Sequence, residues 1–151
     1  MKKTTKATYE VRVQRLNETP GGHRVDTPDA AYAYWCQTIM LMPWYDRERE
    51  MCVSLALSTK YNVIGHTLVS IGTVNETIVH PRDVFRAAVA LGAYAVLLIH
   101  NHPSGESSPS EADRRLTSRI AEAGRILQLQ LLDHLIVGAA TCFSFKEGGL
   151  L

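Results

Sequence analysis

His100 and His102 stand two residues apart at the end of an apolar run, Val96-Leu97-Leu98-Ile99, and Asp113 follows after a stretch rich in Pro, Ser and Gly. On an extended backbone, side chains two apart project to the same side, so the two imidazoles can reach one cation and Asp113 can add a third ligand. Two histidines and a carboxylate leave the fourth position of a tetrahedral zinc ion open to water, the arrangement of a catalytic rather than a structural site. The chemistry suggested is metal-assisted hydrolysis with one zinc ion per chain. A plainer reading stands beside it. His-x-His recurs by chance, and Ser110 followed by Asp113 is also a helix start, in which the hydroxyl caps a free amide and the carboxylate sits in the first turn.

The longer string fits His-x-His-Pro-x6-Ser-x2-Asp, with Pro103, Ser110 and Asp113 in register. It resembles the pattern of the JAB/MPN (JAMM) metalloprotease superfamily. Within that group the chain is similar to the RadC-like branch through Val79-His80-Pro81-Arg82-Asp83-Val84-Phe85, His100-Asn101-His102-Pro103-Ser104-Gly105, Pro109-Ser110-Glu111-Ala112-Asp113 and Leu132-Asp133-His134-Leu135-Ile136-Val137-Gly138. The resemblance covers about residues 46 to 145. It implies an α/β fold of the JAB/MPN type, a mixed sheet with helices on both faces similar to that of cytidine deaminases. It also implies His100, His102 and Asp113 as zinc ligands, Glu50 as the general base and Ser110 as a stabiliser of the oxyanion.

Zinc would lower the pKa of its water toward about 7, and Glu50, just before the run Met51-Cys52-Val53-Ser54-Leu55, would take the proton. Glu48 is the rival base, but Arg47 and Arg49 beside it make a solvated charge the better account. RadC-like proteins were historically linked to DNA repair, and longer relatives carry an N-terminal helix-hairpin-helix region. Residues 1 to 45 show no such module.

With 151 residues, 46% of them hydrophobic and 21% charged, the chain has apolar material for one soluble domain core. No window approaches the roughly 18 uninterrupted apolar residues of a membrane span. The start Met1-Lys2-Lys3-Thr4-Thr5-Lys6 has no hydrophobic segment after it to make a signal peptide, so a cytoplasmic location is expected. Cys36, Cys52 and Cys142 are odd in number and widely spaced, which argues against a disulfide framework or a thiolate zinc site. A net charge of +1 gives little drive toward a phosphate backbone, so nucleic-acid binding is not supported; the resemblance implies a peptide or protein substrate instead.

The elements that must position these residues can be read in outline. A strand at Tyr9 to Leu16 and a helix capped by Thr27, opened by Pro28 and running to about Met42, form an N-terminal extension over residues 1–45; the RadC-like domain takes 46–151. Strands are expected at Met51 to Leu57, Val63 to Ile71 and, briefly, Thr77 to Val79. Val84, Phe85, Ala88, Val89 and Leu91 form a helical stripe ended by Gly92, and Ala93 to Ile99 is the central strand. A second helix, Glu111 to Leu127, carries Ala112, Leu116, Ile120, Ala123 and Leu127 on one face, before strands at Gln130 to Val137 and Thr141 to Phe145. A site where a central strand exits agrees with the rule that α/β sites gather at strand ends.

Asn101 is expected to point away from the metal, and His23, His66 and His80 to be structural or exposed. Asp133-His134 lies amid leucines, so at least one member is expected to be buried and hydrogen-bonded, orienting a ligand imidazole from behind. Trp35, Trp44 and the tyrosines between them form either a core cluster or an apolar surface for a partner.

Two functions of different class follow. One is a zinc-dependent hydrolase of peptide or isopeptide bonds, its substrate open. The other is a non-catalytic protein- or DNA-binding module whose metal is structural or incidental; such a module has no need of a base at Glu50. A metal-dependent nuclease or nucleotide hydrolase would carry more carboxylates and more basic residues near the site.

Overall fold

The computed structural model describes residue 10, residues 22–72 and residues 79–151. The strand expected at Tyr9 to Leu16 falls, Glu10 apart, outside the described residues, as do Thr77 and Ile78 of the short strand expected before His80. In chain order the elements are α1 (Pro28–Gln37), a 3-10 turn (Ile39–Leu41), β1 (Met51–Leu57), β2 (Val63–Ile71), α2 (Pro81–Leu91), β3 (Ala95–Asn101), α3 (Glu111–Leu127), β4 (Gln130–Val137) and β5 (Cys142–Ser144). The strands make one mixed sheet in the order β2-β1-β3-β4-β5, antiparallel except for β3 and β4. Parallel neighbours need a crossover, and α3 supplies it.

Alternation along the strands sorts the core into two layers. Val53, Leu55 and Leu57 of β1 and Leu97 and Ile99 of β3 share one face with Ala31, Tyr34 and Trp35 of α1. Cys52 and Ala56 of β1 and Val96 and Leu98 of β3 share the other with Val84, Phe85 and Ala88 of α2 and Ile120 of α3. The helices therefore cover both faces, as expected of this α/β class. Helix α1, read from sequence as part of an extension, packs on the same sheet as the rest. Trp35 is fully buried and Trp44 packs against its cluster, so these aromatics are core.

Local departures have local causes. The Thr27 hydroxyl oxygen accepts from the Ala30 amide at 3.2 Å and Pro28 opens α1, but the helix stops at Gln37 rather than Met42. Pro43 requires an extended residue before it, and Met42 is extended (φ −70°, ψ 141°), so the intervening residues tighten into the 3-10 turn. In α2, Val89 is exposed rather than part of the buried stripe, and Gly92 closes the helix at φ 63°. Strand β3 runs two residues later than expected, because its ladders continue to Cys52–His100 on one side and Asn101–Val137 on the other. The last strand is shorter, Cys142–Ser144.

The largest departure is in α3, whose buried positions are Asp113, Thr117, Ile120 and Gly124, while Ala112 and Leu127 are exposed. An apolar side chain fully buried at either polar position would contribute about 1.5–3 kcal/mol. Asp113 and Thr117 forgo that gain at the end of the helix that meets β3 and β4, which is where the candidate site lies.

Candidate metal centre

Strand β3 delivers His100 from within its last turn of ladder and His102 just beyond it, and α3 delivers Asp113 from its first turn. His100 Nε2 lies 3.0 Å from His102 Nε2 and 3.2 Å from Asp113 Oδ1, and His102 Nε2 lies 3.4 Å from Asp113 Oδ2. Among the described residues these three form the only group of histidine, cysteine or acidic side chains close enough to share an ion. His100 and Asp113 are buried and His102 is half-buried, so the cluster opens on the His102 side.

Asp113 is held from behind. Its Oδ2 accepts from the Ser110 amide at 2.7 Å and the Ser110 hydroxyl at 2.8 Å, and its own amide donates to Ser110 Oγ at 3.1 Å, which completes a capping box. Burial pushes the Asp113 carboxyl up, but the hydrogen bonds from His100 and His102, then the His100 charge and the Ser110 amide, outweigh it and hold the group well below the usual carboxylate range. The Asp113 hydrogen bond, acting against burial, raises His102 above its ordinary value. The plain helix-start reading of Ser110 and Asp113 and the ligand reading thus describe one arrangement: the cap orients the carboxylate.

His102 Nδ1 donates to the Glu106 carbonyl at 2.7 Å, which leaves Nε2 of the neutral ring bare and facing the cluster. The loop that carries Glu106 is braced by Gly105, whose φ of 85° suits glycine and whose carbonyl accepts from Ala139 N at 2.9 Å.

Glu50 is half-buried and immediately precedes β1. Burial pushes the Cys52 thiol up and the Glu50 charge adds to it, as it adds in lesser part to the Asp113 effect on His102; Cys52 pairs with His100 across β1 and β3. Asn101 alternates away from the imidazoles, as expected, yet it has a task the sequence did not reveal. Its Oδ1 accepts from Met51 N and its Nδ2 donates to the Arg49 carbonyl, each at 2.9 Å, while Gly72 N donates to the Glu50 carbonyl at 2.7 Å. The Asn101 carboxamide thereby replaces a rung of the β1–β3 ladder and grips the backbone on both sides of Glu50. Glu48 is instead exposed and pairs with Arg47 at 3.2 Å.

Behind His100 stands His134, fully buried, with Nε2 2.8 Å from His100 Nδ1 and its ring stacked on Phe145 at 4.8 Å. Burial, followed by the nearby His100 charge, holds the His134 imidazole well below its ordinary value. On its other side His134 Nδ1 lies 2.7 Å from Thr117 Oγ1, which in turn donates to the Asp113 carbonyl at 2.7 Å. Thr117 was missed in the sequence, although its position one helical turn after Asp113 was a usable signal. Asp133 faces elsewhere: it accepts from Ser144 Oγ, His134 N and Lys146 N and ties β4 to the turn after β5. His66 bonds the Tyr34 hydroxyl at 2.8 Å, His23 packs edge-on to Tyr34, and His80 is exposed at the start of α2.

A groove of about 410 Å³ is lined by His102 together with Tyr32, Met40, Arg47, Glu48 and Ala139. Its size is that of a ligand pocket, and its lining mixes polar and apolar side chains. Among the described residues no helix is long and apolar enough to cross a membrane.

A family model described as RadC-like JAB domain matches residues 25–150. A UPF0758 protein of Thermotoga maritima is 41% identical over 151 residues, covering 98% of this chain and 64% of its own. A UPF0758 protein of Pelodictyon phaeoclathratiforme is 45% identical over 106 residues, covering 70% of this chain and 48% of its own. One from Staphylococcus carnosus is 40% identical over 126 residues, covering 83% and 54%. The chain thus spans 48% to 64% of the length of these curated relatives.

Proposed function

The chain belongs to the RadC-like JAB family, and from that premise we propose that it is a zinc-dependent hydrolase of peptide or isopeptide bonds. In this reading His100, His102 and Asp113 hold the metal, Glu50 is the general base and Ser110 supports the carbonyl oxygen as it gains charge. The observation that carries the reading is the convergence of two imidazoles and a carboxylate at 3.0 to 3.4 Å beside a half-buried Glu50. Bonds of about 2.0–2.1 Å at the tetrahedral angle separate ligand atoms by about 3.3 Å, so the donor set suits zinc in spacing as well as in chemistry.

Zinc, when bound, supplies Lewis acidity, which makes water a usable nucleophile near neutral pH. Glu50 takes the proton as the water oxygen joins the carbonyl carbon and returns it to the amine nitrogen as the C–N bond breaks. The Ser110 hydroxyl rests on Asp113 Oδ2 at 2.8 Å; turning to the substrate oxygen exchanges that bond for another charge-assisted one. The groove beside His102 takes the peptide or protein chain that carries the scissile amide, and a cytoplasmic location goes with this proposal.

The test joins metal analysis to a cleavage screen over peptide and isopeptide libraries. The expected result is about one zinc per chain, with cleavage that is lost on chelation and regained on adding zinc. A zinc-loaded, folded protein that cleaves nothing in either library would favour the non-catalytic module.

Proton competition gives a second expectation. His102 keeps its proton to a higher pH than an ordinary imidazole because Asp113 bonds to it, and a metal must displace that proton. Zinc affinity should therefore be full above the raised pKa of His102 and fall by about tenfold per pH unit below it. Competition titrations against a chromophoric chelator read this directly, and a flat profile through the histidine range would remove His102 from the ligand set.

A further inference from the structure

The hydrogen bonds behind His100 form a chain in which each proton has one possible place. Thr117 Oγ1 has a single proton, and it goes to the Asp113 carbonyl, which can only accept. Toward His134, 2.7 Å away, the hydroxyl must therefore accept, so His134 carries its proton on Nδ1. His134 is fully buried and its ring nitrogens touch a hydroxyl and an imidazole, with no carboxylate in contact to hold a second proton. Its Nε2 is then bare and must accept from His100 Nδ1 at 2.8 Å. In its neutral form His100 is left with Nε2 bare, facing His102 and Asp113.

We propose that Thr117 and His134 are positioning residues that fix the tautomer of His100 and so keep its Nε2 ready for a divalent cation. The chain closes on itself: Asp113 supplies a carboxylate to the cluster and, through its backbone carbonyl, sets the first proton of the series that readies His100. A buried polar chain of this kind is costly unless every member is satisfied, and here each one is. His102 reaches the same tautomer by a shorter route, through Glu106, so each neutral ring turns its unprotonated Nε2 to the gap, and a proton held there against Asp113 in the empty site is the one a metal displaces. The inference rests on the metal reading given above, but it is tested without any assay of hydrolysis.

Thr117→Val keeps the shape of the side chain and removes its hydroxyl. His134 then gains by moving its proton to Nε2, which pushes the His100 proton onto the nitrogen that faces the metal. Zinc affinity, measured by chelator competition on the full chain, should fall by about 10–100-fold. Thr117→Ser, which keeps the hydroxyl, should restore it to near the starting value.

Nitrogen-15 spectra of the histidine rings in metal-free protein supply a second readout. In the unaltered chain both His100 and His134 should carry their proton on Nδ1, and in Thr117→Val both should carry it on Nε2. Unchanged zinc affinity in a folded Thr117→Val protein overturns the proposal, and so does His100 protonated on Nε2 in the unaltered chain. If Thr117→Val does not fold, the ring spectra of the unaltered protein still decide the matter. A protein that binds no zinc but shows the expected tautomers would refute the hydrolase reading and leave this one standing.

Discussion

Glu50→Gln is expected to retain about one zinc per chain and to lower amide hydrolysis by about 10²–10⁴-fold, the usual contribution of a positioned general base. Glutamine keeps the shape of the side chain and loses the ability to take a proton. The backbone on both sides of residue 50 stays gripped by Asn101, with Met51 N and the Arg49 carbonyl each 2.9 Å from its carboxamide, so the substitution should leave the local chain in place. The loss should fall on kcat rather than on KM, because the proton moves only in the transition state. Asn101→Ala offers a contrast, since it leaves the carboxylate chemically intact but frees its backbone. Its effect should be smaller and again without loss of metal. Loss of zinc in Glu50→Gln would make Glu50 a ligand instead of a base, and unchanged turnover would end its role altogether.

Asp113→Asn should abolish stoichiometric zinc binding while α3 still forms. The asparagine carbonyl can accept from the Ser110 amide, which preserves part of the cap, but it brings no negative charge to the pair of imidazoles. Thermal unfolding separates the two effects. With zinc at a hundredfold excess over its Kd, the unaltered protein should gain about 2.7 kcal/mol, or about 5–10 °C in Tm for a chain of this size. The Asp113→Asn protein should gain nothing. A zinc-induced shift of equal size in both proteins would mean that the ion binds elsewhere.

Much of the candidate centre was legible because its residues obey short-range rules. The spacing of His100 and His102 is the two-residue repeat of a strand, and the spacing of Ser110 and Asp113 is that of a capping box; both hold whatever the sheet does around them. Buried strands β1, β3 and β4 announced themselves as continuous apolar runs. Helix α3 was placed correctly along the chain but rotated about its axis, because a face read from apolar residues cannot foresee Asp113 and Thr117 turned inward. Asn101 was legible in direction and illegible in purpose, since its partners Arg49 and Met51 come from a strand far away in the chain.

The position of His134 shows where local rules stop. Leu131 lies on the α2 and α3 face, and strict alternation from it would put residues 133, 135 and 137 there too, but Leu135 and Val137 pack on the α1 face. A register shift opposite Val96 and Leu97 inserts one residue in β4 and reverses the alternation, so that His134 comes to lie beside His100 and Asp133 turns away. By itself the sequence determined the family, the strand-end cluster His100, His102 and Asp113, and the glutamate ahead of β1, because each depends on neighbours close in the chain. Only the tertiary structure decided which groups stand behind that cluster, because a bulge and the packing of α3 on the sheet are settled by contacts between distant segments.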